Sequence, residues 1–222
     1  MVRGILIAGD DSALSRAVEI ETAKRVEHYA VALVPNRLSG STPKAVSGTK
    51  DARIEIEWNP SSPISARTLI LCACNNLENI DEALLICSPP SIRCPAAELQ
   101  FANVDILIND HIKGWFYLVK ELAAVFSERK RGLLSLVYSD SNINSARDEA
   151  ADLLGPSALA SFRALTGSLL ASAVNDPYIT IGFSNSDAGN ETAFASFMYK
   201  YIDEAAKRST GKLHKFGKFR LF

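Results

Sequence analysis

Along the first 34 residues, a run of apolar positions (Val2–Ala8) gives way to a polar turn, Gly9-Asp10-Asp11-Ser12. A helical pattern follows to about His28, then a second apolar run, Tyr29–Val34. Strand, turn, helix and strand in that order form a βαβ unit, and apolar runs this continuous belong to strands buried on both faces. The same alternation continues along the chain. A polar stretch rich in Ser, Gly, Thr and Pro, Pro35–Lys50, reads as a loop, and Arg53–Trp58 alternates as a third strand. Ser65–Leu77 is predicted helical, and Glu82–Cys87 is a short buried strand stopped by Ser88-Pro89-Pro90. Diproline has no N–H for a ladder and forces an extended exit.

Pro95 suits the first turn of a long helix that the apolar spacing carries to about Arg129. Leu133–Tyr138 is a fifth strand, and a polar segment, Ser139–Asp148, follows it. Helical character resumes at Gly155-Pro156 and runs to about Val174. Tyr178–Phe183 is a sixth strand, Glu191–Lys207 an amphipathic helix, and Lys212–Phe219 a seventh strand. Alternating strands and helices predict an α/β fold: a Rossmann-like, doubly wound, mostly parallel seven-stranded sheet with helices on both faces. Neither a repeat nor a composition break divides the chain, so residues 1–222 are expected to form a single domain.

Composition narrows the function classes. The chain has 222 residues, 47% hydrophobic and 22% charged, enough to build a core without metal or disulfide staples. A net charge of −1 gives no electrostatic case for nucleic acid or an anionic membrane. The basic run from Lys207 to Arg220 reads as a solvated charge set. Val2–Ala8 is too short for the apolar region of a secretory leader. No uninterrupted apolar run reaches the ~18 residues a membrane span needs. Cys72, Cys74, Cys87 and Cys94 are therefore expected as reduced thiols of a cytoplasmic protein. Cys72 and Cys74 lie two apart on a helix, so they point different ways, and no metal site is expected.

Six segments, in order, carry a resemblance. Ile5–Val18 (ILIAGDDSALSRAV) looks like a TGxxxGxG turn with its helix, and Asn79–Cys87 is similar to an iDvLVNN strand. Asp110–Phe116 follows a vNlkGvF segment, and Gly132–Ser139 matches GxIVNISS. Leu165–Ala171 matches LTxSLA, and Ser209–Lys212 is like the tGq before a last strand. Together they resemble the short-chain dehydrogenases/reductases over essentially the whole chain. The resemblance implies an NAD(P)-binding fold and oxidoreductase chemistry through a Tyr-x-x-x-Lys pair, with Ser and Asn beside it.

The residues at those positions differ. Counting back from Thr166 puts Gly155 at the Tyr position and Leu159 at the Lys position. None of the six tyrosines has Lys four residues on. His111 stands where the family carries Asn, and Ser139 is the counterpart of the family Ser. The remaining candidates for proton transfer are thus Ser139, Tyr138 and His111. His111 is expected as a core imidazole or a proton carrier, and Tyr138, lacking a cationic neighbour, is expected to titrate near ~10.

The resemblance assigns dinucleotide contacts to Gly9, Ser12 and Leu14 after the first strand, to Arg37 after the second and to Ser88 after the fourth. Arg37 is compatible with the 2′-phosphate of NADP. Ala13 and Ser15 replace glycines of the motif, however, and Asp10 and Asp11 place carboxylates where phosphates would lie. Asp10, Asp11 and Ser12 are expected instead to cap the first helix. The sequence therefore predicts a divergent protein without standard hydride transfer, acting as a binding or assembly module. The alternative is an atypical NADP(H)-dependent oxidoreductase with a non-standard acid/base. A homodimer or homotetramer is expected through helices 95–129 and 155–174, whose second apolar faces (Trp115, Val119, Leu122; Phe162, Leu165, Leu169) need cover.

Overall fold

The computed structural model describes residues 3–35, 53–139, 152–187 and 189–217, the side chains of 205–207 apart. Arg37, the segment 140–151 and the end of the expected seventh strand, 218–219, lie outside the described residues. The strands are β1 (Ile5–Gly9), β2 (Tyr29–Leu33), β3 (Arg53–Glu55), β4 (Glu82–Cys87), β5 (Leu133–Ser139), β6 (Ile179–Asn185) and β7 (Leu213–Phe216). The helices are α1 (Ala13–Ala23), α2 (Pro63–Asn76), α3 (Phe101–Ile108), α4 (Gly114–Arg129), α5 (Leu154–Ser172) and α6 (Glu191–Ser209).

The sheet order is β3-β2-β1-β4-β5-β6-β7, and every pairing is parallel. The chain winds outward from β1 to β3, returns to lay β4 beside β1, and winds the other way. The reversal opens a crevice beyond the carboxyl ends of β1 and β4, where such sheets hold ligands.

Both faces of the sheet are covered, which explains the unbroken apolar strands. One layer packs Leu69 and Ile70 of α2, Trp115, Leu118, Leu122 and Phe126 of α4, and Phe162 of α5 on Leu85, Leu134 and Leu136. The other packs Leu14 and Val18 of α1 and Phe194, Met198 and Ile202 of α6 on Ile7, Val31 and Phe183. Trp115, Val119, Leu122 and Phe162 are thus core residues of one subunit. They are not the spare apolar faces on which the expected assembly rested. α2 and α5 pack beside α4 and bury these four, while Leu165 and Leu169 of α5 stay half-buried.

The long helix expected over 95–129 is three pieces. A 3-10 turn (Ala96–Glu98) precedes α3, and a π-helical turn (Asn109–Lys113) separates α3 from α4. The wider π turn buries two consecutive polar residues, Asp110 and His111, which a regular helix would send to diverging directions. Other bounds shift less. α1 ends at Ala23 rather than near His28, with Arg25 and Val26 donating back to Thr22 before β2 begins. The third strand is only Arg53–Glu55, and β6 extends to Asn185.

Among the described residues, Leu154–Asn175 is the one helical stretch long and apolar enough to cross a membrane by composition. Its Ala158, Leu159, Phe162 and Leu170 are buried within the chain.

Candidate functional site

The register pairs Gly9 with Ile86 as the last β1–β4 step, so Asp10 emerges beside Cys87 and Ser88. Gly9 is needed for packing. A Cβ there would meet Ser15 Oγ at 2.9 Å and Ile86 Cβ at 3.0 Å. Ser15 is itself fully buried, and its hydroxyl sits 3.1 Å from that of Ser12. The space that small glycines would leave for a ligand's approach is therefore filled by Ser15. Leu14 turns its side chain into the core under the turn.

Of the three residues expected to cap α1, only Ser12 does so, accepting a hydrogen bond from the Ser15 N–H at 3.1 Å. Asp11 pairs with Arg16. Asp10 reaches across the crevice: its Oδ2 accepts from the Ser88 N–H at 3.0 Å, and its Oδ1 lies 3.3 Å from His111 Nδ1. One carboxylate thus ties together the ends of β1 and β4 and the π turn.

Burial dominates the electrostatics of this cluster. Desolvation raises the Asp10 carboxyl from 3.8 to about 7, only partly offset by the Ser88 N–H and its own backbone, and nearby Asp110 adds to the rise. Burial lowers His111 from 6.5 to about 4 despite Asp110. The Cys87 thiol, fully buried, is pushed up by desolvation and then by Asp10. At neutral pH the imidazole is neutral, and the Asp10 carboxyl takes a proton far more readily than a free carboxyl does.

Ser139 and Tyr138 end β5 on opposite faces. Ser139 joins Ser88, Pro89, Asp152, Gly155 and Leu159 around a cavity of about 30 Å³, room for one water molecule. Its Oγ is 3.5 Å from the Asn185 carbonyl. Tyr138 faces the core, edge-on to Phe162 at 6.4 Å. A cationic neighbour is present after all: the Arg163 guanidinium lies 5.4 Å from the ring centroid. Burial nevertheless raises the phenol above its ordinary value, outweighing Arg163 and the Ser184 hydroxyl. The structure therefore separates two of the proton-transfer candidates: Tyr138 lies in the core layer, and His111 pairs with Asp10.

Gly155 and Leu159 do line the same cavity as Ser139, as the counting from Thr166 implied. Neither can donate a proton. Asp152 caps α5 there, accepting from the Gly155 N–H at 3.0 Å. A Cβ on Gly155 would meet Asp152 Oδ2 at 2.8 Å and the Pro90 carbonyl at 3.0 Å. The segment after β4 thus fills the volume where a larger residue would stand. Sequence reasoning missed Asp152, Arg163 and the span from Asp10 to Ser88 and His111. Only Asp152 left a signal, an acidic residue shortly before a helix start.

No family model matches the chain, and no curated protein matches its sequence. Solved structures do match. A short-chain dehydrogenase from Mycobacterium smegmatis aligns with a TM-score of 0.75 at 12% identity, covering 99% of this chain and 94% of that one. A short-chain dehydrogenase from Bacillus anthracis gives 0.75 at 13%, over 96% and 94%. ElxO with NADP bound gives 0.74 at 14%, over 97% of each chain. The chain has the fold of the short-chain dehydrogenases/reductases.

Proposed function

We propose that this chain keeps the frame of the short-chain dehydrogenase/reductase fold without its standard hydride transfer, and works as a binding or assembly module. The observation that carries the reading is the cavity bounded by Ser139, Gly155 and Leu159. The fold's reaction needs a phenol and an ammonium one helical turn apart, and here those positions hold a glycine whose Cβ space is taken by Asp152 and Pro90 and a buried leucine. Nor do the residues after β1 suit a pyrophosphate. Ser15 fills the approach beside Gly9, and the Asp10 carboxylate stands where negative charge would have to be accepted.

The test is a titration of the purified chain with NADPH and NADH, followed by nucleotide fluorescence and calorimetric heat. The expected result is no saturable binding up to millimolar nucleotide. Micromolar binding of either would overturn the reading.

One observation favours a second reading, an NADP(H)-dependent oxidoreductase with a non-standard acid/base. Asp10 and His111 form a buried pair in the crevice, and Asp10 is poised near pH 7. Micromolar NADPH binding that persists when Ser139 and Tyr138 are replaced, but gives no turnover in Asp10→Asn, would support it. As for assembly, a second copy seated on α4 and α5 would meet Phe116, Leu165 and Leu169, not Trp115. Phe116→Asp should then reduce the mass seen by sizing chromatography, and an unchanged mass would remove that interface.

A further inference from the structure

We propose that the Asp10 side chain is a built-in occupant of an anion position in the crevice, between the end of β4 and the π turn, and that its charge governs whether the crevice accepts a phosphate-bearing ligand. The proposal rests on the reading that the unaltered chain does not hold a dinucleotide.

Three observations place the carboxylate in that role. The crevice lies at the carboxyl edge of the sheet beside the first turn of α1, the ordinary neighbourhood of a phosphate, and Ser12 already takes the Ser15 N–H of that turn. Asp10 lies two residues before the Ser12 cap and extends over the crevice rather than into solvent, accepting from Ser88 on the opposite wall. A second buried polar atom is aimed at the same point. His111 is 4% exposed, and its Nδ1 makes no hydrogen bond yet lies 3.3 Å from Asp10 Oδ1. The Ser88 N–H and the His111 imidazole thus converge on one oxyanion, and the chain supplies that oxyanion itself.

The groups facing Asp10 make this occupancy sensitive to charge. His111 and Asp110 face it from the π turn, the Cys87 thiol and the Ser88 N–H from β4, and the Asp11–Arg16 pair lies on its own turn. None of these contacts gives Asp10 a guanidinium or ammonium of its own. Its negative charge is therefore held at a cost, which is why its carboxyl titrates near neutrality. While ionised, it repels a second anion. Neutralised by a proton or an amide, it keeps its acceptor for Ser88 but stops opposing a phosphate. Ser15 still narrows the approach, so the latent site should take a phosphodiester more weakly than a glycine-lined turn does.

The experiment titrates NAD into the unaltered chain, Asp10→Asn and Asp10→Gly by calorimetry at pH 8, with adenosine as the phosphate-free control. NAD carries the same charge at pH 6 and pH 8, so the unaltered chain is also titrated at pH 6. The expected result is no saturable NAD binding by the unaltered chain at pH 8. Both variants should bind at least tenfold tighter than the limit set for that chain, with adenosine affinity unchanged. The unaltered chain should bind NAD at least threefold tighter at pH 6 than at pH 8, which keeps the test decisive if a variant fails to fold. Folded variants that bind no NAD, an equal gain for adenosine, or indifference to pH would overturn the proposal and leave the proposed function standing. Tight NAD binding by the unaltered chain at pH 8 would overturn both.

Discussion

Asp81 and Asp10, at opposite ends of the sheet, are held in opposite ways. At the amino ends of β1 and β4, Asp81 receives Arg129 at 3.1 Å, Arg131 at 3.6 Å and the Gly4 N–H. Asp203 takes both Arg3 and Arg25, and Arg3 also pairs with the buried Glu82. These three carboxylates each meet a guanidinium around a cleft that Glu204 also lines. At the carboxyl ends, Asp10 meets a backbone N–H and a neutral imidazole, and its affinity for a proton climbs toward neutrality. Paired charge lines the amino end. At the carboxyl end Asp11 is paired too, with Arg16, and it is Asp10 that has no cation among its recorded contacts, at the end where the fold places its ligands.

The largest expected effect lies in the core that supports both ends. Trp115 packs between Trp58 and Phe162 with ring centroids 6.4 and 5.4 Å away. Trp115→Ala should cost about 3–5 kcal/mol in urea unfolding. A variant that changes only its oligomeric state, with unfolding unaltered, would return this residue to an interface.

Next comes the carboxyl end itself. Asp10 binds its proton more tightly folded (about 7) than unfolded (3.8), so its contribution is favourable below pH 4 and is lost as pH rises through 7. His111 runs the other way, its contribution present above pH 6.5 and lost as pH falls toward 4. Asp10→Asn deletes only the first, so the variant should gain on the unaltered chain between pH 5 and pH 8, by on the order of 2–3 kcal/mol. A difference that is flat with pH would mean that Asp10 is not desolvated.

Smaller effects refine the contrast. Gly155→Ala should cost about 1–2 kcal/mol by pressing on Asp152 and Pro90, measured by thermal unfolding. A neutral result would show that the segment after β4 yields easily, which reopens the cavity to larger groups. Ser12→Ala should cost about 1 kcal/mol through the lost cap of α1, and no loss would mean that Asp10 or Asp11 takes over.

The frame was legible because its signals are local. Continuous apolar runs such as Glu82–Cys87 and Leu133–Tyr138 could only be strands buried on both faces, and the structure places them within a residue of the expected bounds. Gly155 and Leu159 fell beside Ser139 because helix spacing converts counting into position. What stayed hidden depends on contacts distant in sequence or on departures from regular geometry. The bond from Asp10 to Ser88 spans 78 residues, and nothing near either residue announces it. The π turn has no hydrophobic period of its own, so three helical pieces read as one. Apolar faces on α4 read as unpartnered because periodicity shows that a face must be covered, not that α2 and α5 of the same subunit cover it.

The most direct test of the central claim, a retained frame whose crevice is closed to the fold's usual cofactor, is amide hydrogen exchange with and without 1 mM NADPH. It reads residues 9–16 and Ser88 separately from the rest of the sheet. The account predicts identical exchange at every one of these amides. Protection confined to the α1 turn and Ser88 would contradict it.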